Sequence, residues 1–207
     1  MMFDNTIRQT KDYLLHPVAH RLPTTHPTTI SLIGLLVGLA AAVALWHQAY
    51  LWGLGLWLLN RLLDGFDGTV ARVNEKQSDL GGYIDIMLDF VVYAIIPIAL
   101  IFGLSEPTQG DYLGLAFLLA TFYVNSASWM YLSSILEKRN QGAQAQGELT
   151  TVSMPDGIIA GTETVVFYCA FIIWASNASL LFTIMGILVM ITVVQRLIWA
   201  IRHINDD

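Results

Sequence analysis

Six apolar stretches dominate this sequence of 207 residues, and each is long enough as a helix to cross the hydrocarbon layer of a membrane. Only 13% of the residues are charged, about half the share in an average soluble domain. The chain is therefore predicted to be an all-α polytopic membrane protein that forms a single domain over residues 1–207. The predicted spans lie near residues 30–47, 50–72, 80–103, 112–136, 156–176 and 178–202.

The distribution of basic residues predicts how the chain crosses the membrane. Lys and Arg occur before the first span, in the loops after the second and fourth spans, and at the end of the sixth. The three alternate loops, near 46–50, 104–111 and 176–179, contain neither residue. Because short cytoplasmic loops carry the excess of Lys and Arg, both termini are expected in the cytoplasm. The expected location is the cell (inner or plasma) membrane.

The first 25 residues show a second, weaker pattern. Apolar side chains at Phe3, Ile7, Leu14 and Val18 recur on one helical face. This pattern predicts an amphipathic helix lying on the cytoplasmic surface of the membrane. The formal net charge of −6 does not describe a solvated acidic surface, because several acidic residues lie inside apolar segments. Membrane lipids are the expected surroundings, and no nucleic-acid partner is expected.

Four aspartates interrupt the apolar pattern where the second span ends and the third begins. Asp64 and Asp67 are three residues apart, and Asp85 and Asp89 are four apart, so each pair shares a helical face. A short loop makes the two helices antiparallel, which should place Asp67 level with Asp85. Asp64 should likewise lie level with Asp89, about 12–14 Å from the helix ends. Arg61, one turn deeper, is expected to pair with Asp64.

A carboxylate at a helix centre costs about 2.5–3.5 kcal/mol to insert, so four of them should face water, a cation or one another. Carboxylate oxygens suit Mg²⁺, Mn²⁺ or Ca²⁺, and two such ions would balance the four charges. Two metals about 3.5–4 Å apart form a clamp for phosphoryl displacement. The small residues Gly68, Ala71 and Gly81 leave room for a bulky ligand, and Arg72 is placed to bind a phosphate.

Two other interpretations of the aspartates remain open. Ionisable residues inside a membrane also mark the cation or proton pathway of a transporter. Polar contacts between helices, with glycines for close packing, would account for one or two aspartates. A transporter would not require Gly, Ala and Arg at fixed distances from the four acids, and helix packing does not account for four aspartates at matched depths.

The same stretch resembles the signature of the CDP-alcohol phosphatidyltransferase family, D-x2-D-G-x2-A-R-x7-8-G-x3-D-x3-D. All eight fixed positions match. The resemblance implies an enzyme of phospholipid biosynthesis, a homodimer using two Mg²⁺ or Mn²⁺ ions. Such an enzyme moves a phosphatidyl or similar group from a CDP-linked lipid, such as CDP-diacylglycerol, to a small alcohol acceptor and releases CMP. The matching residues are Asp64, Asp67, Gly68, Ala71, Arg72, Gly81, Asp85 and Asp89.

The resemblance also implies a role for each position. Asp89 would contact one metal and serve as the general base. The metal ligands are implied to be Asp64, Asp67, Asp85 and Asp89. The residues implied to line the nucleotide and diphosphate site are Gly68, Ala71 and Arg72, with Gly81 serving helix packing.

The acceptor is not resolved by the sequence. Family members with phosphorylated acceptors often carry basic residues at the start of the fifth helix, where this chain has none. Glu163 in that region would suit an amino alcohol such as serine, ethanolamine or choline. Arg196 would instead suit an acceptor of the glycerol 3-phosphate or inositol type. It could also simply pair with Glu163, because each lies about 10 Å from the cytoplasmic end of its predicted helix. The acceptor candidates are Glu163, Arg196, Asp156, Lys138 and Arg139.

Overall fold

The computed structural model describes residues 16–21, 23–142 and 157–204. Across these ranges the chain forms helices and turns without a β-strand. The helices are α1 (Pro27–Trp46), α2 (Tyr50–Val73), α3 (Asp79–Phe102), α4 (Gln109–Lys138), α5 (Gly161–Ile173) and α6 (Ala178–His203), with a 3₁₀ turn at Ala175–Asn177.

The predicted helices are confirmed, and five of the six agree with the observed bounds to within three residues. The exception is the predicted span at 156–176, where α5 has only 13 residues. At 1.5 Å per residue it is about 20 Å long, which is shorter than the hydrocarbon layer. Most of the predicted interfacial helix lies outside the described residues, although residues 16–19 are helical.

Four helical stretches in the described ranges are long and apolar enough to cross a membrane. α2 is long enough but carries charged residues throughout its second half. The number of spans supported by length and composition is therefore four, whereas the sequence predicted six. The candidate spans are Pro27–Trp46, Asp79–Phe102, Gln109–Lys138 and Ala175–His203.

The described helices divide between two compact units. The first contains α1, α2 and α3 with the end of α5 and the 3₁₀ turn; the second contains α4, the start of α5 and α6. In the second unit α4 and α6 approach closely at small residues. A Cβ added to Gly114 would lie 3.0 Å from the Ser179 carbonyl oxygen, so glycine permits this contact.

In the first unit, α1 packs against both α2 and α3. The turn between α1 and α2 is fixed by Gln48, whose backbone has a φ of 59°. Its side-chain amide donates to the carbonyl of Gly103 at the end of α3, at 2.8 Å. A Cβ on Gly103 would lie 2.6 Å from the carbonyl oxygen of Trp46, so only glycine fits there. This end of the three-helix unit is thus tied together by backbone contacts.

Close packing of α1 depends on two glycines that face the other helices. The side-chain amide of Asn60 in α2 donates to the Gly34 carbonyl at 2.8 Å. A Cβ on Gly38 would lie 2.8 Å from a methyl carbon of Val92 in α3 and 3.2 Å from the Asn60 amide nitrogen. Small residues that let backbones approach are characteristic of helix contacts in membranes.

Replacing Gly38 with leucine is expected to lower the free energy of unfolding by about 1–3 kcal/mol, because the larger side chain must displace Val92 and Asn60. Thermal unfolding of the purified protein in detergent measures the loss. The matched control is Gly55→Leu, since a Cβ on Gly55 meets nothing within 4 Å. Equal stability of the two variants would contradict this account of the packing.

Pro97 interrupts the hydrogen-bond ladder inside α3. Because proline lacks an N–H, the carbonyl of Tyr93 four residues earlier loses its usual helical donor. The hydroxyl of Tyr168, near the end of α5, donates to that carbonyl at 2.6 Å. The ring of Tyr168 also stacks on Trp57 of α2, with centroids 4.8 Å apart. A neighbouring side chain thus supplies the bond that the proline removes.

Candidate active site

One pocket in the first unit gathers all four aspartates of the signature. α2 contributes the first pair and α3 the second, while α1 closes the pocket with small and polar residues. Helical spacing explains why both members of each pair face the same side. The residues that line the pocket are Ser31, Gly34, Leu35, Asn60, Asp64, Asp67, Asp85, Leu88, Asp89 and Val92.

Asp67 is the more buried of the two aspartates on α2. It is 3% exposed, and the hydroxyl of Ser31 in α1 donates to its Oδ2 atom. Ser31 also bonds to the carbonyl of Pro27 in its own helix, at 3.3 Å. Ser31 could not be predicted from the sequence, because helical periodicity within α2 and α3 carries no information about which residue of α1 faces them.

Arg61 was expected to pair with Asp64, but in the structure it pairs chiefly with Asp89. Its Nη2 atom donates to Asp89 Oδ1 at 2.8 Å, whereas its Nη1 atom lies 3.7 Å from Asp64 Oδ2. The arginine thus contacts the two aspartates that were predicted to lie level with each other. Its position on the same helix favoured Asp64, but the crossing of α2 and α3 brings Asp89 closer.

Two aromatic rings and an amide also hold the guanidinium of Arg61. Its Cζ atom lies 4.8 Å from the ring centroids of both Trp57 and Tyr93. Nε and Nη2 both donate to Asn60 Oδ1, at 2.9 and 2.7 Å, and Nη1 donates to the Tyr93 hydroxyl at 2.9 Å. The side chain is only 9% exposed. Arg61 is therefore a fixed positive charge at the edge of the aspartate pocket.

The donor atoms in the pocket fit a hard divalent cation, since four carboxylates line one space. In the arrangement described, no three His, Cys, Asp or Glu side chains of the described ranges are grouped closely enough to hold a metal ion. Two of the carboxylates are instead directed at protein donors, Asp67 at Ser31 and Asp89 at Arg61. Rotation about side-chain bonds would redirect the carboxylates of Asp64, Asp67 and Asp85 toward a shared ion. The residue types therefore fit a divalent cation, although their rotamers do not converge on one.

The other signature residues lie nearer the helix ends and do not line the pocket. A Cβ on Gly68 would lie 3.2 Å from Nη1 of Arg72, so the arginine side chain lies against this glycine. Ala71 is partly buried on the same helix. Gly81 donates its backbone N–H to the Ser78 hydroxyl at 3.1 Å, which caps α3. Gly81 was predicted to serve helix packing, and its part in this cap was not predicted.

Most of the acceptor candidates lie in the second unit. Lys138 ends α4 and is exposed, and Arg139 follows it. Asp156 lies outside the described residues. Glu163 accepts a hydrogen bond from the backbone N–H of Ala160 at 3.1 Å, which is the reciprocal half of a capping box at the start of α5. This local bond gives the Glu163 carboxylate a partner without any residue of α6.

Arg196 is 5% exposed, and its hydrogen bonds go to neutral groups. Nη1 donates to Asn125 Oδ1 at 3.0 Å and to the Ser128 hydroxyl at 3.4 Å. Its Nε atom is buried without a partner in the part of the chain that the structure describes. Within those residues Arg196 and Glu163 therefore do not form the ion pair that the sequence analysis considered.

Comparison with known proteins identifies the family. The model of the CDP-alcohol phosphatidyltransferase family matches residues 24–198. The chain belongs to this family. It is 31% identical to the inner membrane protein YnjF of Escherichia coli K12 over 204 residues, which cover 96% of this chain and 95% of that protein.

Two further relatives are more distant. The bifunctional IPC transferase and DIPP synthase of Archaeoglobus fulgidus is 41% identical over 75 residues, which cover 34% of this chain and 15% of that protein. The solved structure of the phosphatidylinositol phosphate synthase PgsA1 of Mycobacterium tuberculosis, with CDP-DAG bound, superposes with a TM-score of 0.68 at 19% identity. The superposed residues cover 89% of this chain and 92% of the PgsA1 chain. At this identity the likeness shows the fold.

Family membership confirms several predictions from the sequence. The chain is an enzyme, a transferase of the CDP-alcohol phosphatidyltransferase family that acts in phospholipid biosynthesis. Its apolar helices and its similarity to an inner membrane protein make it an integral membrane protein. The family generally uses divalent metal ions, which agrees with the carboxylates of the pocket.

Proposed function

We propose that this enzyme transfers a phosphatidyl group from a CDP-linked lipid, such as CDP-diacylglycerol, to an acceptor alcohol and releases CMP. The observation that carries the proposal is the convergence of four signature aspartates on one pocket beside a fixed arginine. The PgsA1 structure holds CDP-DAG, which supports the choice of donor.

The residues that would hold two Mg²⁺ or Mn²⁺ ions are the four pocket aspartates, Asp64, Asp67, Asp85 and Asp89. When bound, such ions neutralise a diphosphate and stabilise the charge that develops on a departing CMP. We assign Arg72 to the donor's diphosphate, with Gly68 and Ala71 beside the nucleotide. The lack of a Cβ at Gly68 already leaves space that the Arg72 guanidinium uses.

We assign the proton transfer to Asp89. Its carboxylate would accept the proton of the acceptor hydroxyl while the hydroxyl oxygen forms a bond to the phosphorus of the phosphatidyl group. The phosphorus–oxygen bond to CMP breaks, and CMP leaves with that oxygen. Burial excludes Asp67, whereas the side chains of Asp64 and Asp89 are 29% and 27% exposed and can be reached by an acceptor. We choose Asp89 because it holds the last position of the signature.

We further propose the arrangement of the chain in the membrane. Six helices would cross it. The charges of α2 are tolerated because they face the pocket, and the short α5 would cross together with the 3₁₀ turn that follows it. The basic loops favour a cytoplasmic location for both termini, and the mouth of the pocket would then open to the cytoplasm. The chain would work as one catalytic domain in a homodimer in the inner or plasma membrane, with a leader helix at the surface.

We propose that the acceptor itself carries a negative charge, as a phosphorylated alcohol does. The support is Arg196, a buried arginine whose partners among the described residues are neutral and whose Nε atom has no partner among them. A buried charge is costly unless it is paired, and an anionic ligand would pair it. Glu163 already accepts a bond in the cap of α5, so it is less available to bind the amino group of an amino alcohol.

A panel of radiolabelled alcohols tests this choice, each incubated with the full-length protein, CDP-diacylglycerol and Mg²⁺. Glycerol 3-phosphate or an inositol phosphate is expected to be incorporated into lipid, and serine, ethanolamine, choline and free inositol are not. Arg196→Gln should raise the KM of the phosphorylated acceptor by about 10- to 100-fold, because a charge-assisted bond is lost. Glu163→Gln is the control and should leave that KM within about two-fold. Incorporation of an amino alcohol that Glu163→Gln abolishes would contradict the proposal.

A further inference from the structure

Arg61 lies outside the eight signature positions, yet it contacts two of the signature aspartates. Its Nη2 atom is 2.8 Å from Asp89 Oδ1, and its Nη1 atom is 3.7 Å from Asp64 Oδ2. Nothing in the spacing of the signature requires an arginine one turn before the first aspartate. Arg61 therefore places a permanent positive charge beside the carboxylates that would bind cations.

The guanidinium is held by groups other than the aspartates. Asn60 accepts two of its hydrogen bonds, and the Tyr93 hydroxyl accepts a third. Asn60 is itself fixed, because its amide donates to the Gly34 carbonyl in α1 at 2.8 Å. The rings of Trp57 and Tyr93 lie against the guanidinium. Arg61 therefore keeps its place independently of what binds the carboxylates.

The bond to Asp89 limits the freedom of the residue assigned as the base. Arg61 engages one of the two carboxylate oxygens, Oδ1, which opposes rotation of the carboxylate about its terminal bond. The planar guanidinium is rigid, so the direction of this bond is set by the anchored arginine. A base whose orientation is fixed in advance does not have to be ordered when the acceptor arrives.

The same charge acts on the cation site. Four carboxylates and one guanidinium leave a formal excess of three negative charges in the pocket. Two divalent cations would then exceed the local negative charge by one, which attracts an anionic diphosphate. A fixed guanidinium close to two cation ligands also repels the cations, because like charges interact strongly at short range in a poorly solvated site.

We propose that Arg61 is a positioning residue that orients Asp89 for proton transfer and weakens the binding of divalent cations by the four aspartates. This inference rests on the proposed function for its kinetic part, since it concerns the base of that reaction. Its electrostatic part requires only that the aspartates bind divalent cations.

The test compares Mn²⁺ binding and transfer kinetics in three full-length proteins in detergent: the wild type, Arg61→Gln and Arg61→Lys. Free Mn²⁺ is measured by electron paramagnetic resonance during titration with MnCl2 alone. Arg61→Gln should bind Mn²⁺ about ten-fold more tightly, because the repelling charge is gone. Arg61→Lys keeps the charge and should stay within about two-fold of the wild type.

Kinetics at saturating Mn²⁺ separate positioning from metal affinity. We expect kcat to fall about 100-fold in Arg61→Gln and about ten-fold in Arg61→Lys, which lacks the planar fork, with the donor KM changed less than about two-fold. Unchanged or weaker Mn²⁺ binding by Arg61→Gln, or a wild-type kcat in that variant, would overturn the inference. Absence of Mn²⁺ binding in every protein would also overturn it.

Folding is checked by thermal unfolding of each variant. Should Arg61→Gln not fold, Arg61→Lys and Tyr93→Phe decide the matter. Both keep a positive charge at position 61, and each removes part of the hydrogen bonding that fixes that charge. A lower kcat in both, with Mn²⁺ affinity unchanged, supports the inference, and a wild-type kcat in both overturns it. If the wild type binds Mn²⁺ but releases no CMP, the proposed function fails, and the Mn²⁺ comparison still decides the effect of the charge.

Discussion

Replacing Asp89 with asparagine is expected to reduce the kcat of phosphatidyl transfer by about 1,000-fold, because the amide cannot accept the proton of the acceptor hydroxyl. The substitution preserves the shape of the side chain, and its Oδ1 atom can still accept the bond from Arg61. Because Asp89 is also a proposed metal ligand, both measurements are made at saturating Mg²⁺, where donor binding should change by less than about three-fold. Release of radiolabelled CMP measures kcat, and retention of labelled CDP-diacylglycerol on the purified protein measures binding.

Asp79→Asn is the matched control for this experiment. Asp79 lies on the same helix, in its first turn, but it is exposed and does not line the pocket. Its loss removes only a favourable interaction with the helix dipole, about 0.3–1 kcal/mol of stability. The control should retain wild-type turnover. Near-normal turnover in Asp89→Asn would refute the assignment of Asp89 as the base.

Removal of divalent metal is expected to lower the rate of transfer at least about 100-fold. Without cations, no divalent charge offsets the repulsion between the four aspartates and the donor's diphosphate. The protein is dialysed against EDTA, and CMP release is then followed as Mg²⁺ or Mn²⁺ is added back. Either ion should restore the rate. Asp67→Asn should require a higher concentration of metal, since Asp67 would be one of the ligands.

The same assay separates the enzyme from the transporter that the sequence left open. A cation-coupled transporter would release no CMP at any metal concentration. Undiminished release in excess EDTA would contradict the metal-dependent mechanism. The control is thermal unfolding in EDTA, which shows whether the protein stays folded when metal is withdrawn.

Helical periodicity was sufficient to predict the convergence of the four aspartates. Each pair is defined by spacing within one helix, and a short loop fixes the two helices as neighbours. The identities of Ser31 and Asn60 as pocket residues could not be obtained in this way. They depend on how α1 is rotated against its neighbours, which is decided by glycines and side-chain shape along the whole contact.

Two pairings show the limit of arguments from sequence distance and depth. Arg61 was expected to bond to Asp64 of its own helix, but the crossing of α2 and α3 places Asp89 closer. Glu163 and Arg196 have similar predicted depths, yet Glu163 bonds to a backbone N–H three residues away. A local donor at a helix start competes with a distant cation, and depth alone does not reveal it.

The bond between the Tyr168 hydroxyl and the Tyr93 carbonyl has a consequence for how this family of sequences can vary. The carbonyl needs a donor because Pro97 has no N–H, so the two positions are energetically coupled. A chain that exchanges Pro97 for another residue supplies its own donor and no longer needs the tyrosine hydroxyl. A chain that keeps the proline and loses the hydroxyl leaves a buried acceptor unsatisfied. The effect of a substitution at Pro97 or at Tyr168 therefore depends on the residue at the other position. The two positions should change together among relatives.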